Sequence, residues 1–165
     1  MESEDVFILQ KIIAIGNGDW SPELLALELD QSSSRIAKAI DNLRHAKLLD
    51  SHHRFIPENT KNFLLKDLHR YFPARPGKLG RGILTGAKPG TYFCVGLSYA
   101  SIWIWPLENG PDLGYEITPL SSGCCFAVTQ DVRLKKILAI TETLRVAGPE
   151  AQEWAEYSFK QNGLF

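Results

Sequence analysis

Within about three helical turns the chain places Ser32, Ser33, Ser34, Arg35, Lys38 and Asn42. These are hydroxyls, a guanidinium fork, an ammonium and a carboxamide, a set that hydrogen-bonds to phosphate oxygens and to base edges. A guanidinium donates in parallel to guanine O6 and N7, a carboxamide pairs with adenine, and hydroxyls meet phosphates. Any one of the serines can equally serve as a helix cap. Downstream, Arg44, Lys47, His52, His53 and Arg54 supply groups suited to phosphate or minor-groove contact.

A second basic set, Arg75, Lys78, Arg81 and Lys88, is interspersed with Gly77, Gly80, Gly82, Gly86 and Gly90. It could extend a phosphate footprint, cradle a small anion with exposed backbone N–H groups, or pin a loop through an ion pair. Residues 77–82 have neither the Lys-Ser/Thr ending of a phosphate loop nor the dinucleotide fingerprint. Structural pinning is the simplest of the three.

Other reactive side chains form no pattern. Cys94, Cys124, Cys125, His45, His52, His53 and His69 make no nucleophile–base–acid motif, so no catalytic residue and no enzyme activity are expected. Cys124 and Cys125 lack the two-residue gap of a zinc knuckle, and adjacent His52 and His53 on a strand would face opposite ways. No metal and no cofactor are therefore expected. Three cysteines cannot build a disulfide framework. The acidic start lacks the pattern of a secretion signal, and no apolar run reaches the length of a bilayer span. The expectation is a cytoplasmic protein with reduced thiols and no membrane partner.

The elements that must position these groups follow from periodicity. Residues 6–15 are apolar at Val6, Phe7, Leu9, Ile12, Ile13 and Ile15, which predicts a largely buried helix ended by Gly16-Asn17-Gly18. Ser21 is a good N-cap with Pro22 at the first helical position, and Leu24, Leu25, Leu27 and Leu29 would form the apolar face of a second helix. After the turn Gln31-Ser32-Ser33, core spacing at Ile36, Ala39, Ile40 and Leu43 predicts a third. Residues 50–56 suit two very short strands with a tight turn. Phe63, Leu64, Leu68 and Tyr71 give another helical stripe, stopped by Pro73. Residues 74–90 read as a surface loop, and residues 91–97 and 101–105 as strands, with Trp103 and Trp105 on one face. A further short extended piece is expected at 115–117. Asp131 should cap a helix over 132–146, and Gly148-Pro149-Glu150 restarts a last helix through Trp154, Tyr157 and Phe159.

Charge is segregated. Residues 1–30 contain Glu2, Glu4, Asp5, Asp19, Glu23, Glu28 and Asp30 against Lys11 alone. Residues 31–81 are strongly basic, although the whole chain carries a net charge of -1. A local positive footprint that begins with the third helix is what a duplex binder needs.

Two short helices joined by a polar turn, the second led by small polar and basic side chains, form the pattern of a helix-turn-helix. Residues 6–56 resemble the winged helix-turn-helix superfamily, particularly its compact MarR-like members, with the closest correspondence at the elbow from Leu29 to Ile36. The chain as a whole resembles a bacterial family in which the winged helix precedes Phe-Pro-Ala and Trp-Pro motifs. Here these are Tyr71-Phe72-Pro73-Ala74-Arg75, then Gly80-Arg81-Gly82, Ile104-Trp105-Pro106 and Pro119-Leu120. The stretch 92–102 is compact, and the acidic-aromatic details around Trp-Pro are only partly kept.

The expected fold is mainly α with a small β component: a winged helix-turn-helix over 1–72, then an irregular α/β region over 73–165 with regulatory or dimerisation roles. The resemblance implies a sequence-specific double-stranded DNA-binding transcriptional regulator, a repressor or antitoxin-like autoregulator. The alternative is an interaction adaptor that keeps the fold and binds a protein partner instead of DNA. A homodimer would find its seam along 132–146 and 150–160, with Leu138, Leu144, Trp154 and Tyr157 as contacts.

Overall fold

The computed structural model describes residues 1–16, 18–87 and 102–165. Its first helix, α1 (Ser3–Ile15), explains much of the rest. Val6, Phe7, Ile8 and Leu9 are consecutive and wholly buried, and even Asp5, Gln10 and Lys11 are buried. A helix that is apolar around its whole circumference must be covered on every side. α3 (Ser33–His45) covers one flank of α1 and α7 (Val132–Ala147) another. The core consequently runs unbroken across the expected boundary near residue 72, from Phe7 and Leu43 to Leu138 and Phe159.

The N-terminal helices are set by local signals. Ser21 Oγ accepts from Leu24 N at 3.2 Å and starts α2 (Pro22–Glu28); Ser32 Oγ does the same from Arg35 N at 3.2 Å to start α3. Leu25 and Leu29, one turn apart, are fully buried. Leu24 and Leu27 are 38% and 75% exposed, because a seven-residue helix presents only one face inward. The expected four-leucine apolar face is thus a two-leucine one. After α3 a tight hairpin pairs Leu49 with Phe55. Asp50 closes it, accepting through Oδ1 from His52 N at 2.8 Å and Arg54 N at 2.9 Å, while His53 takes a positive φ of 61°.

A helical rod follows: α4 (Pro57–Asn62), a π turn (Phe63–Asp67) and α5 (Leu68–Tyr71). The wider π turn lets Phe63, Leu64 and Leu65, three residues in succession, all face the core.

The glycine-rich stretch expected as a loop is largely a strand, β1 (Leu79–Ala87). It pairs antiparallel with β2 (Ile102–Pro106) through one half and with β3 (Asp112–Glu116) through the other, while β2 and β3 pair parallel and close the set. Closure is why glycine is needed. A Cβ on Gly82 would drive into the Trp105 carbonyl, and one on Gly110 into the backbone of Gly82. Trp103 and Trp105 are buried, as core packing requires. The strand expected at 91–97, together with Lys88, Cys94 and Asn17, lies outside the described residues.

A helix absent from the sequence reading, α6 (Cys124–Gln130), starts at Gly123 without a side-chain cap, so no local signal announces it. Asp131 then caps α7, accepting from Leu134 N at 2.9 Å, and also receives Lys11 Nζ at 2.6 Å. Lys11 reaches Glu28 at 2.7 Å as well, so one buried ammonium joins α1, α2 and α7. Burial lowers the Lys11 pKa, but its hydrogen bonds to Asp131 and Glu28 outweigh this and hold it above the usual lysine value. The final helix, α8 (Gln152–Gln161), buries Ala155 and Phe159. Phe165 packs edge-on between Phe159 (5.4 Å between centroids) and Phe55 of the hairpin (6.5 Å).

Candidate nucleic-acid interface

The outer surface of α3 is polar. Ser33, Ser34, Lys38, Asp41, Arg44 and His45 are exposed along it, and Ser32 Oγ lies 3.1 Å from Ser34 Oγ at its leading turn. Lys47, His52 and Arg54 are exposed on the adjoining hairpin. His53 is half-buried and tilts against Trp20, with ring centroids 6.1 Å apart. Between helix and hairpin runs an open groove of about 450 Å³ lined by Asp41, Arg44, His45, Lys47, Asp50 and Ser51. Asp41 and Asp50 share it with Arg44 and Lys47, so the groove is of mixed charge, not the uniformly positive footprint that the sequence segregation suggested.

Arg35 has other work. Its Nε donates to Glu4 at 2.9 Å and its Nη2 to Asp5 at 2.5 Å, with Glu2 3.5 Å away. Asn42 Nδ2 donates to the other oxygen of Asp5 at 2.9 Å, and the Glu2 backbone N–H donates to that oxygen at 2.7 Å. Lys38 Nζ reaches Glu2 at 2.6 Å. The Arg35 side chain is only 14% exposed and Asp5 is wholly buried. Arg35 and Asn42, expected from the sequence to read bases, both face α1 here and hold a buried carboxylate. Lys38 is 59% exposed and keeps an outward position, neutralised in part by Glu2. The signal was present in the sequence, since an acidic first turn beside a basic helix is also a recipe for internal pairing.

Arg75 and Lys78 are exposed on the approach to β1, and Arg81 is exposed within it. Lys78 Nζ lies 3.9 Å from Glu116. Arg75 and Arg81 make no ion pair among the described residues, so the expected pinning contact is absent there. Backbone hydrogen bonds hold this stretch in place: Ala74 N donates to Arg145 O at 3.1 Å, Gly77 N to Glu116 O at 2.8 Å and Glu116 N to Lys78 O at 3.0 Å.

The sequence reading missed a buried pair. Arg145 donates through Nε to Phe72 O at 2.7 Å and through Nη1 to Thr118 O at 3.1 Å and Glu142 Oε2 at 2.6 Å. Its own carbonyl accepts from Ala74 N at 3.1 Å. Glu142 is wholly buried, and burial pushes its carboxyl up to about 7 despite the opposing pull of Arg145 and of the Trp105 indole. Neither Glu142 Oε1 nor Trp105 Nε1 completes a hydrogen bond of its own. The spacing of Glu142 and Arg145, one turn apart on an otherwise apolar stripe, was the available clue. Nearby Cys124 is buried, and desolvation with the Glu142 charge pushes its thiol far up, the opposite of an activated nucleophile.

Of the expected dimer contacts, Leu138 and Leu144 are wholly buried and close the core of a single chain; they are not surface residues. Trp154 is half-buried and Tyr157 is 64% exposed. Among the described residues no cluster of His, Cys, Asp or Glu has metal-site geometry, and no helix is long and apolar enough to cross a membrane. No protein-family model matches the chain, and no curated protein or solved structure matches it.

Proposed function

We propose that the protein is a cytoplasmic DNA-binding regulator that meets duplex DNA with the outer surface of α3 and the hairpin. The observation that supports this most is the sequence of three helices and a tight hairpin, in which α3 is capped by Ser32 and presents a polar, uncovered surface. In this reading Ser33, Ser34 and Lys38 approach the groove, and Arg44, Lys47, His52 and Arg54 contact phosphates. Arg35 and Asn42 act indirectly by fixing α3 on α1.

A second reading, a protein-binding adaptor on the same scaffold, is favoured by a different observation. The acids of α1 offset Arg35 and Lys38, and Leu27 and Phe126 stand exposed on either side of a cleft beside Lys11. Titration of a labelled mixed-sequence duplex with the full chain at stepped salt separates the two. Regulation through DNA requires saturable binding that weakens log-linearly with salt. Absence of such binding at low salt would favour the adaptor.

A further inference from the structure

β1 carries an irregularity that opens onto a second cavity. Its register against β2 runs Leu84 to Ile104 and then Gly86 to Trp103, so Thr85 is an extra residue without a partner position. Such a bulge re-aims side chains, and here both Leu84 and Thr85 line one groove between β1, α7 and α8. The groove holds about 450 Å³, within the range of small-molecule sites, and its walls are mainly apolar, with Ala139 and Ile140 from α7 and Trp154 from α8.

Two polar features mark it. Thr85 is only 2% exposed, yet its hydroxyl has no hydrogen-bond partner among the described residues. A buried hydroxyl left unpaired pays its desolvation without return, a cost a ligand atom would remove. At the rim Lys135 and Lys136 are exposed, and neither forms an ion pair among the described residues.

From this arrangement we infer that the groove binds a small amphiphile with an alkyl body and a carboxylate head. The alkyl part lies along Ala139 and Ile140, while the carboxylate meets Lys135 and Lys136 and accepts the Thr85 hydroxyl proton through one of its oxygens. This inference stands apart from the DNA reading and shares no residue with it.

The test is calorimetric titration of the full chain with decanoate, with decanol and decyltrimethylammonium as matched probes. Decanoate should bind saturably and at least about tenfold more tightly than either probe, the scale of one charge-assisted contact. K135A/K136A, an exposed change, should weaken decanoate about tenfold and leave decanol unaltered. T85V should weaken it several-fold. A139W, checked for folding by circular dichroism, should abolish it by filling the groove. No saturable decanoate binding, equal binding of the cationic probe, or a double-lysine variant with unchanged affinity would each overturn the inference.

Discussion

Arg35 and Arg145 are both arginines held by carboxylates, and the contrast between them shows how this chain divides its charges. Arg35 sits at a rim, where Glu2 and Glu4 remain partly in water and only Asp5 is sealed. Arg145 is sealed with its partner and also satisfies two carbonyls from segments far away in sequence. The first arginine orients one helix upon another. The second joins α7 to the chain after α5 and to the segment after β3, so its loss strands the buried Glu142 carboxyl and leaves two part-buried carbonyls without their donor.

The largest expected effect follows directly. R145A should destabilise the fold by about 3–5 kcal/mol, the cost of orphaning one member of a buried pair. In a chain of this size that lowers Tm by roughly 10 °C or more. Chemical denaturation with matched m-values is the measurement, and a loss no greater than that of R35A would break the contrast.

Next comes pH. Glu142 has a folded pKa of about 7 against an ordinary 4.5. Below 4.5 the carboxyl is protonated in folded and unfolded chains alike and its contribution is fully present. As pH rises from 4.5 through about 7 the unfolded chain ionises it while the fold resists, so stability falls. The drop is on the order of 3 kcal/mol. Urea midpoints across that window should show it, and E142Q should flatten it. A midpoint that rises over the same window in E142Q and wild type alike would mean Glu142 is ionised throughout.

R35A should cost about 1–3 kcal/mol, less than R145A because water reaches Glu2 and Glu4 but not Asp5. A double-mutant cycle with D5N should return positive coupling; additivity would place Arg35 outside the buried pair. The smallest effect is that of K38A, under about 1 kcal/mol for an exposed pair with Glu2. A larger loss would show that the rim is drier than its exposure implies.

The same contrast separates what was legible in the sequence from what was not. Caps are local, so Ser21, Ser32 and Asp131 announced their helices, and consecutive apolar residues in α1 announced its burial. Trp103 and Trp105 read correctly as core. β1 did not, because Gly82 is required by a carbonyl from β2, a contact that composition cannot display. α6 lacked a side-chain cap and was invisible for that reason. For the candidate interface, residue types picked out α3 correctly as a polar, basic helix, but not which way each side chain turns. Arg35 meets Asp5 thirty residues earlier, and Asn42 joins it there. Charge segregation along the chain suggests an external footprint, whereas part of it is spent internally.

The central claim is that the exposed cations of α3 and the hairpin carry duplex contact, with Arg35 serving the scaffold. It is tested most directly by fluorescence anisotropy of a labelled duplex against wild type, R35A and R44A/K47A/R54A across a salt series. The triple variant should lose at least about tenfold in affinity and show a shallower salt slope, by up to about three contacts. R35A, at a temperature where it remains folded, should stay within about threefold of wild type, since an indirect positioning role moves affinity by well under 1.4 kcal/mol. The opposite pattern, affinity lost in R35A and kept in the triple variant, would contradict the account.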